Sequence, residues 1–253
     1  MSTVRRPCPA CDRGPRDTAL AVTSDDRGTI AFCHRCGYTK SENHVKARGA
    51  AIAPRVYRPW REIAAHLWNS AEPLAGSLAD VYLRARGCRL PPEDGDLRFL
   101  PARGAHPAAV VGRVTDAETG EPISLHFTRM SPDGKKVGPD AKRLLAGHRK
   151  SGGVIRLWPD ECVTHGLLIA EGVETALAAA HGFAPVWAAI DCGNLQNCPV
   201  LSGIECLTIA ADHDPAGISA AEQCAQRWAA AGREVRIAMP STPGHDAADV
   251  VAA

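Results

Sequence analysis

Asp212 and Asp214 end the apolar run at 207–211, with His213 between them and Pro215 and Gly217 just beyond. Side chains alternate along an extended backbone, so the two acids of this D-x-D point to the same side and reach one cation together. Glu171 closes a second apolar run, GLLIAEG, at 166–172. Three ionised carboxylates at one dry edge repel one another. They must be splayed into water or neutralised by cations. Oxygen-only ligands at a half-open site suit Mg2+ or Mn2+, with a phosphate completing the shell. Glu171 then binds the same ion or serves as a base. A lone D-x-D has a plainer reading, in which Asp214 caps a helix. The coincidence with Glu171 favours the cation.

A second constellation lies near the N-terminus. Cys8, Cys11, Cys33 and Cys36 form C-x2-C, a 21-residue insert and C-x2-C. Four thiolates make a closed tetrahedral site, which is the pattern of structural rather than catalytic zinc. The insert reads as two short strands, ALAVT and TIAFC, around the turn SDDRG, a hairpin that brings the two knuckles together. About 40 residues cannot fold on hydrophobic burial alone, so the metal supplies the missing stability. His34 is an alternative ligand. Arg5, Arg6, Arg13, Arg16, Arg35 and Lys40 make this ribbon basic, which suits either a nucleic acid or a solvated face. The other six cysteines (Cys88, Cys162, Cys192, Cys198, Cys206, Cys224) are scattered and read as small hydrophobes.

The elements that must position the acids alternate from residue 166 onward. GLLIA, APVWAAID, CLTIA and REVRIAMP read as strands; VETALAAAHG and PAGISAAEQCAQRWAAAG read as helices. Strands apolar on both faces, alternating with helices, predict a parallel sheet covered on two sides. Ligands collect at the carboxyl ends of such strands. Upstream, ARGAAIAPRVYRP at 47–59 reads as a linker. WREIAAHLWNSAEPLAGSLADVYLRARG carries helical spacing, and AAVVGRVTDAETGEPISLHFTRM reads as a hairpin. The polar stretch after it holds Lys135, Lys136, Lys142, Arg143, Arg149 and Lys150. Most of these read as a solvated loop. Lys142 and Arg143 abut Leu144 and Leu145, so they are expected near structured surface, where a fixed cation meets phosphate.

Bulk properties narrow the classes. Hydrophobic residues are 45% of the 253, enough for a core, and aromatics are 5%, so that core rests on aliphatic side chains. No apolar run approaches the roughly 20 residues of a membrane span, and no signal-peptide core stands at the N-terminus, so a cytoplasmic protein is expected. There is no G-x-x-x-x-G-K-[ST] and no G-x-S-x-G, which removes support for a P-loop ATPase and a serine hydrolase. Charge is segregated. Residues 1–50 hold 9 Lys/Arg against 5 Asp/Glu, residues 51–160 hold 17 against 12, and residues 161–253 hold 3 against 11. A basic portion for a polyanion and an acidic portion for cations is the functional reading.

LLIAEGVETALAA followed by LTIAADHDPAG resembles the Toprim domain of primases, topoisomerases and some nucleases, with its glutamate after one strand and D-x-D after a later one. GHDAADV is similar to the third acidic cluster of phage and plasmid primases, with Asp246 and Asp249 in the matching places. YLRARG, the hairpin and AKRLLAG resemble the first half of the bacterial primase core, with its basic motif at Lys142, and the cysteine ribbon resembles the zinc domain before it. Thr175 departs from the usual E-G-x-x-D. The resemblance implies an α/β chain: zinc ribbon 1–46, linker 47–59, mixed α+β primase-like subdomain 60–160, and Toprim domain 161–253 with a parallel sheet flanked by helices. It implies a DNA primase making RNA primers on single-stranded DNA from nucleoside triphosphates. Glu171, Asp212 and Asp214 would hold Mg2+ or Mn2+. Lys142 and Arg143 would meet phosphates, with Arg84 and Arg86 as further template contacts. Asp246 and Asp249 would tune metal affinity or cap a helix. A separate replicative helicase is an expected partner, since no helicase domain follows by Ala253. A Toprim nuclease and a non-catalytic nucleic-acid-binding replication accessory are the alternatives.

Overall fold

The structure is a computed structural model that describes residues 2–11, 14, 17–24, 28–33, 36, 38–43, 60, 63–138 and 141–251. The linker expected at 47–59, together with Arg13, Arg16, His34 and Arg35, lies outside the described residues. The chain divides into two compact units, residues 1–55 and 56–253.

In the first unit β1 (Ser2–Arg6), β2 (Leu20–Ser24), β3 (Gly28–Cys33) and β4 (Thr39–Asn43) make one antiparallel sheet in sequence order. β2 and β3 are the hairpin predicted from ALAVT and TIAFC, and they pair from Leu20–Cys33 to Ser24–Thr29. β1 and β4 add a strand on each side, which the sequence reading missed. The core is very small: among the described residues only Cys8, Leu20, Ala31 and Cys33 are buried together.

The second unit begins with α1 (Ile63–Asn69), α2 (Leu78–Ala85), β5 (Leu97–Leu100), β6 (Ala109–Asp116), β7 (Pro122–Arg129), β8 (Lys142–Leu144) and β9 (Gly153–Arg156). It continues with β10 (Gly166–Ala170), α3 (Val173–Ala179), β11 (Val186–Ala188), α4 (Cys192–Gln196), β12 (Cys206–Ala210), α5 (Pro215–Ala230), β13 (Glu234–Ala238) and α6 (Ala247–Val251). All nine strands share one sheet, in the order β13-β12-β10-β11-β9-β6-β7-β8, with β5 on β6. The first four of that order run parallel, as predicted. The remainder is antiparallel. β9 pairs with β11 on one side and β6 on the other, so the boundary expected at residue 160 falls within a continuous sheet.

Successive residues of the central strands feed opposite cores. Leu168, Ala170 and Ala210 pack with Tyr82 and Leu83 of α2 and Ala176 and Leu177 of α3. Leu167, Ile169, Leu207 and Ile209 pack with Leu195 of α4 and Ala221, Cys224 and Trp228 of α5. Each fully buried Leu or Ile here contributes roughly 1.5–3 kcal/mol, which is why these strands carry no polar face. α5 starts on a side-chain cap from Asp214 with Pro215 in its first turn, and Gly232, at φ +77°, ends the turn after it. No helix among the described residues is long and apolar enough to cross a membrane.

Candidate active site and metal centre

The four parallel strands finish on one line. Ala188, Ala170, Ala210 and Ala238 lie side by side across the sheet. Glu171 is the next residue after β10, and Asp212 follows β12 by two, so both acids emerge at the same edge. Both are half-buried. Burial pushes the Glu171 carboxyl up, as do the charges of Asp212, Asp214 and Asp191, while Lys142 pulls the other way. Asp212 is pushed up to about 6 by burial and then by Asp246 and Asp214, again opposed by Lys142. Glu171 and Asp212 thus each feel neighbouring carboxylates, and a cation held between them would relieve both. Their oxygens form a rim, not a tight cage. Among the described residues, Cys8, Cys11, Cys33 and Cys36 are the one set of three or more His, Cys, Asp or Glu whose ligand atoms all lie within 4.8 Å of one another.

Asp214 realises the plainer reading of the D-x-D. Its Oδ1 accepts from Ala216 N at 2.9 Å and Gly217 N at 2.8 Å, capping α5. The cap draws the helix start against Asp212. A Cβ on Gly217 would stand 2.6 Å from the Asp212 carbonyl oxygen and 3.1 Å from its Cβ, so only glycine lets the helix approach this closely. Gly217→Ala is expected to cost about 1–3 kcal/mol of stability through overpacking and to displace Asp212. Thermal unfolding together with metal titration of the variant checks this, and an unchanged melt would refute the close approach.

Asp246 and Asp249 cap α6 reciprocally: Asp249 N donates to Asp246 Oδ1 at 2.9 Å, and Asp246 N donates to Asp249 Oδ2 at 3.1 Å. Asp246 also faces the rim. Thr175 Oγ1 lies 3.4 Å from both Asp246 Oδ2 and Asp212 Oδ1. A hydroxyl therefore stands between two carboxylates where E-G-x-x-D would place a further acid. Arg86 Nη2 lies 3.5 Å from Asp249 Oδ1, which ties the end of α2 to this cluster. Arg84 does not reach it: its guanidinium pairs with Asp80 one turn back on α2.

Lys142 and Arg143 part company. As neighbours on β8 they project to opposite faces. Lys142 Nζ lies 3.1 Å from Glu174 Oε2 and near the rim. Arg143 instead lines a cavity of about 510 Å3 with Arg103, Arg129, Ile63, Leu67 and Phe127. Of the two residues expected to meet phosphates, Lys142 therefore stands near the acid rim and Arg143 lines this separate cavity.

Three site residues escaped the sequence reading. Glu174 is buried on α3 between Lys136, Lys142 and Tyr82. Burial alone would raise it, yet the two lysines and the tyrosine hydroxyl hold it well below the usual carboxylate range. Lys136, read as a solvated loop residue, is one of its partners. Asp191 follows β11 at the same sheet edge, caps α4 through Asn194 N at 2.9 Å and pairs with Lys150. Before it Ile190 sits at φ +80°, a costly conformation for a β-branched residue. A strand ending in Asp just before C-G-N was the available signal for Asp191.

The four cysteines form the second centre. Cys8 Sγ and Cys36 Sγ are 3.7 Å apart, as are Cys11 Sγ and Cys33 Sγ. A tetrahedron with metal–sulfur arms of about 2.3 Å has edges near 3.8 Å, so the spacing fits a tetrahedral ion. As a bare thiol Cys11 resists ionisation: Cys36, burial and the Cys33 and Cys8 thiols push it up to about 12. A divalent cation reverses that by binding the thiolates. The cluster suggests structural zinc.

Residues 166–253 match the Toprim domain family, and residues 58–157 match a domain family of unknown function, DUF7146. No curated protein matches the chain. Among solved structures, the zinc-binding and RNA polymerase domains of the Aquifex aeolicus primase align at 15% identity over 99% of this chain and 75% of that one, with a TM-score of 0.50. The primase fragment of the bacteriophage T7 primase-helicase protein aligns at 17% identity over 98% of this chain and 94% of that one, with a TM-score of 0.46. The Aquifex likeness concerns the fold. The acids stand on the strand ends of the same segment, residues 166–253, that is similar to the Toprim domain family.

Proposed function

We propose that the protein is a DNA primase that joins ribonucleotides on a single-stranded DNA template. The observation that carries this reading is the acid rim of the Toprim domain facing Lys142 across a sheet shared with the middle region. Glu171, Asp212 and the Oδ2 of Asp214, the oxygen its cap leaves over, would hold Mg2+ or Mn2+. The hard oxygen donors and their mutual repulsion fit such an ion. Bound there, it supplies charge neutralisation for the attacking 3′ oxygen and the departing pyrophosphate. The protein's own residues do the rest. Lys142 offsets phosphate charge at the rim, and the single Thr175 hydroxyl proton can be donated to Asp212 or to Asp246. Arg86 secures Asp249 and with it α6. The cysteine centre, with zinc as its ion, keeps Arg5, Arg6 and Lys40 on a folded surface for the template. That contact weakens as salt rises. A replicative helicase is the partner that would load it.

The test incubates the purified full chain with single-stranded DNA, labelled nucleoside triphosphates and Mg2+ or Mn2+. Labelled product longer than a nucleotide is expected. A shortened template would identify a nuclease using the same acids. Template binding without either product, even with a helicase present, would overturn the enzyme reading in favour of a binding protein.

A further inference from the structure

The cavity of about 510 Å3 that Arg143 lines has no part in the chemistry above. Cross-strand partners in an antiparallel sheet share a face. The register pairs Phe127 with Arg143 and Ala109 with Arg129, so these four residues stand on one face of the sheet. Lys142 pairs with Thr128 and belongs to the other face. The cavity therefore opens on the side that α1 covers, behind β8 as seen from Lys142.

Its walls are apolar. Leu67 of α1, Leu100 of β5, Phe127 of β7 and Leu144 and Leu145 at the end of β8 supply them. Leu145 N donates to Leu125 O at 2.9 Å, which ties that wall to β7. Ile63 also lines the cavity and is 50% exposed, an apolar side chain left facing water. The turn between β5 and β6 forms the opposite wall. Arg103 and His106 bracket it through reciprocal backbone hydrogen bonds of 2.9 and 3.0 Å, with Gly104 at φ +57° between them. Arg103, Arg129 and Arg143 thus reach the cavity from three separate segments. Among the described residues that line it, none is acidic. Like charges gathered around a low-dielectric concavity focus a positive field into it.

We propose that this cavity docks an acidic peptide segment of a partner protein. A large apolar side chain of the segment sits against the leucines, and carboxylates on either side of it meet the arginines. Guanidinium forks match carboxylates in geometry, and an apolar anchor in a pocket ringed by polar groups is how interfaces concentrate their energy. The volume lies within the roughly 300–1,000 Å3 of ligand pockets. A single-stranded nucleic acid fits less well. Its bases seek aromatic platforms, and Phe127 is the one aromatic residue among the described lining, itself packed into the core beneath α1. The site stands apart from whichever reaction the acid rim carries out.

The experiment measures fluorescence anisotropy with the full-length protein and a labelled peptide of aspartates carrying two central leucines. A second peptide has serines in place of the leucines, and a labelled oligothymidylate of matched charge is the third probe. The variants are Arg103→Glu, Ile63→Asp and Lys135→Glu. Lys135 is the control for charge alone, since it is 81% exposed, pairs with Asp133 and does not line the cavity. Wild type should bind the leucine peptide about ten-fold more tightly than the serine peptide. Arg103→Glu should weaken the leucine peptide about five-fold, with a shallower dependence on salt. Ile63→Asp should weaken it about ten-fold, and Lys135→Glu should leave it unchanged. If Ile63→Asp does not fold, Arg103→Glu, in an exposed turn, decides. Equal binding of the two peptides, or of the leucine peptide by wild type and Arg103→Glu, would overturn the proposal. Loss of oligothymidylate binding in Arg103→Glu with the peptide unaffected would assign the cavity to a nucleic acid and overturn it as well.

Discussion

If the protein is the primase proposed above, Asp212→Ala is expected to lower nucleotide transfer by on the order of a thousand-fold or more, in a protein that still folds and still binds single-stranded DNA. Asp212 is an acid held unfavourably by its surroundings. Burial, Asp246 and Asp214 push it up to about 6 from the ordinary aspartate value of 3.8. The sign of the linked stability follows. A carboxyl raised in the folded state favours folding fully below its unfolded value, and that contribution is lost as pH rises through about 6. At pH 8, without divalent cations, the ionised carboxylate is therefore a cost to the fold. Its removal should leave the melting temperature in EDTA no lower than that of wild type. Mn2+ should then raise the melting temperature of wild type more than that of the variant. Primer extension and thermal melts in EDTA and in Mn2+ check both halves. Retained transfer would take Asp212 out of the metal site, and an earlier melt in EDTA would mean that its role is structural.

Cys33→Ser should unfold the first unit and leave the second intact. The only buried residues in the first unit's described core that are not metal-binding candidates are Leu20 and Ala31. Two small apolar side chains cannot offset the ordering of four strands, whereas a structural zinc contributes about 10–16 kcal/mol of apparent binding free energy. Every helix among the described residues lies in the second unit. The helical circular dichroism signal should therefore survive the substitution, and zinc retained after chelation should fall. Template binding should weaken and lose part of its salt dependence. Loss of the helical signal would show that the units do not fold independently.

The acids and the cysteines were legible because each rests on a short-range pattern. A strand that ends in an acid, or two knuckles at fixed spacing, needs no knowledge of the rest of the chain. Glu174 was not legible for the opposite reason. In VETALAAAHG it has the look of a solvent-facing helix residue, and its burial depends on Lys136 and Tyr82, respectively 38 and 92 positions upstream. Lys136 itself sits among polar residues whose composition says loop, and only the β7–β8 turn brings it to α3. Arg143 shows a different limit. Its neighbourhood in sequence is that of Lys142, but the pleat sends it away from Lys142, and the direction depends on strand register. β5 and β9 are four residues each, too short for a period to show.

The placement of β9 governs how the molecule can be taken apart. This strand belongs by sequence to the middle region, yet it is stitched between β6 and β11. Cutting the chain after residue 160 would strip β11 of its β9 neighbour and leave a raw, apolar border on the C-terminal half, while the severed front half would keep β9 with one flank bare. Unprotected borders of this kind invite aggregation. Minimal fragments for biochemistry should start ahead of α1, since the excised Toprim segment by itself would be expected to precipitate.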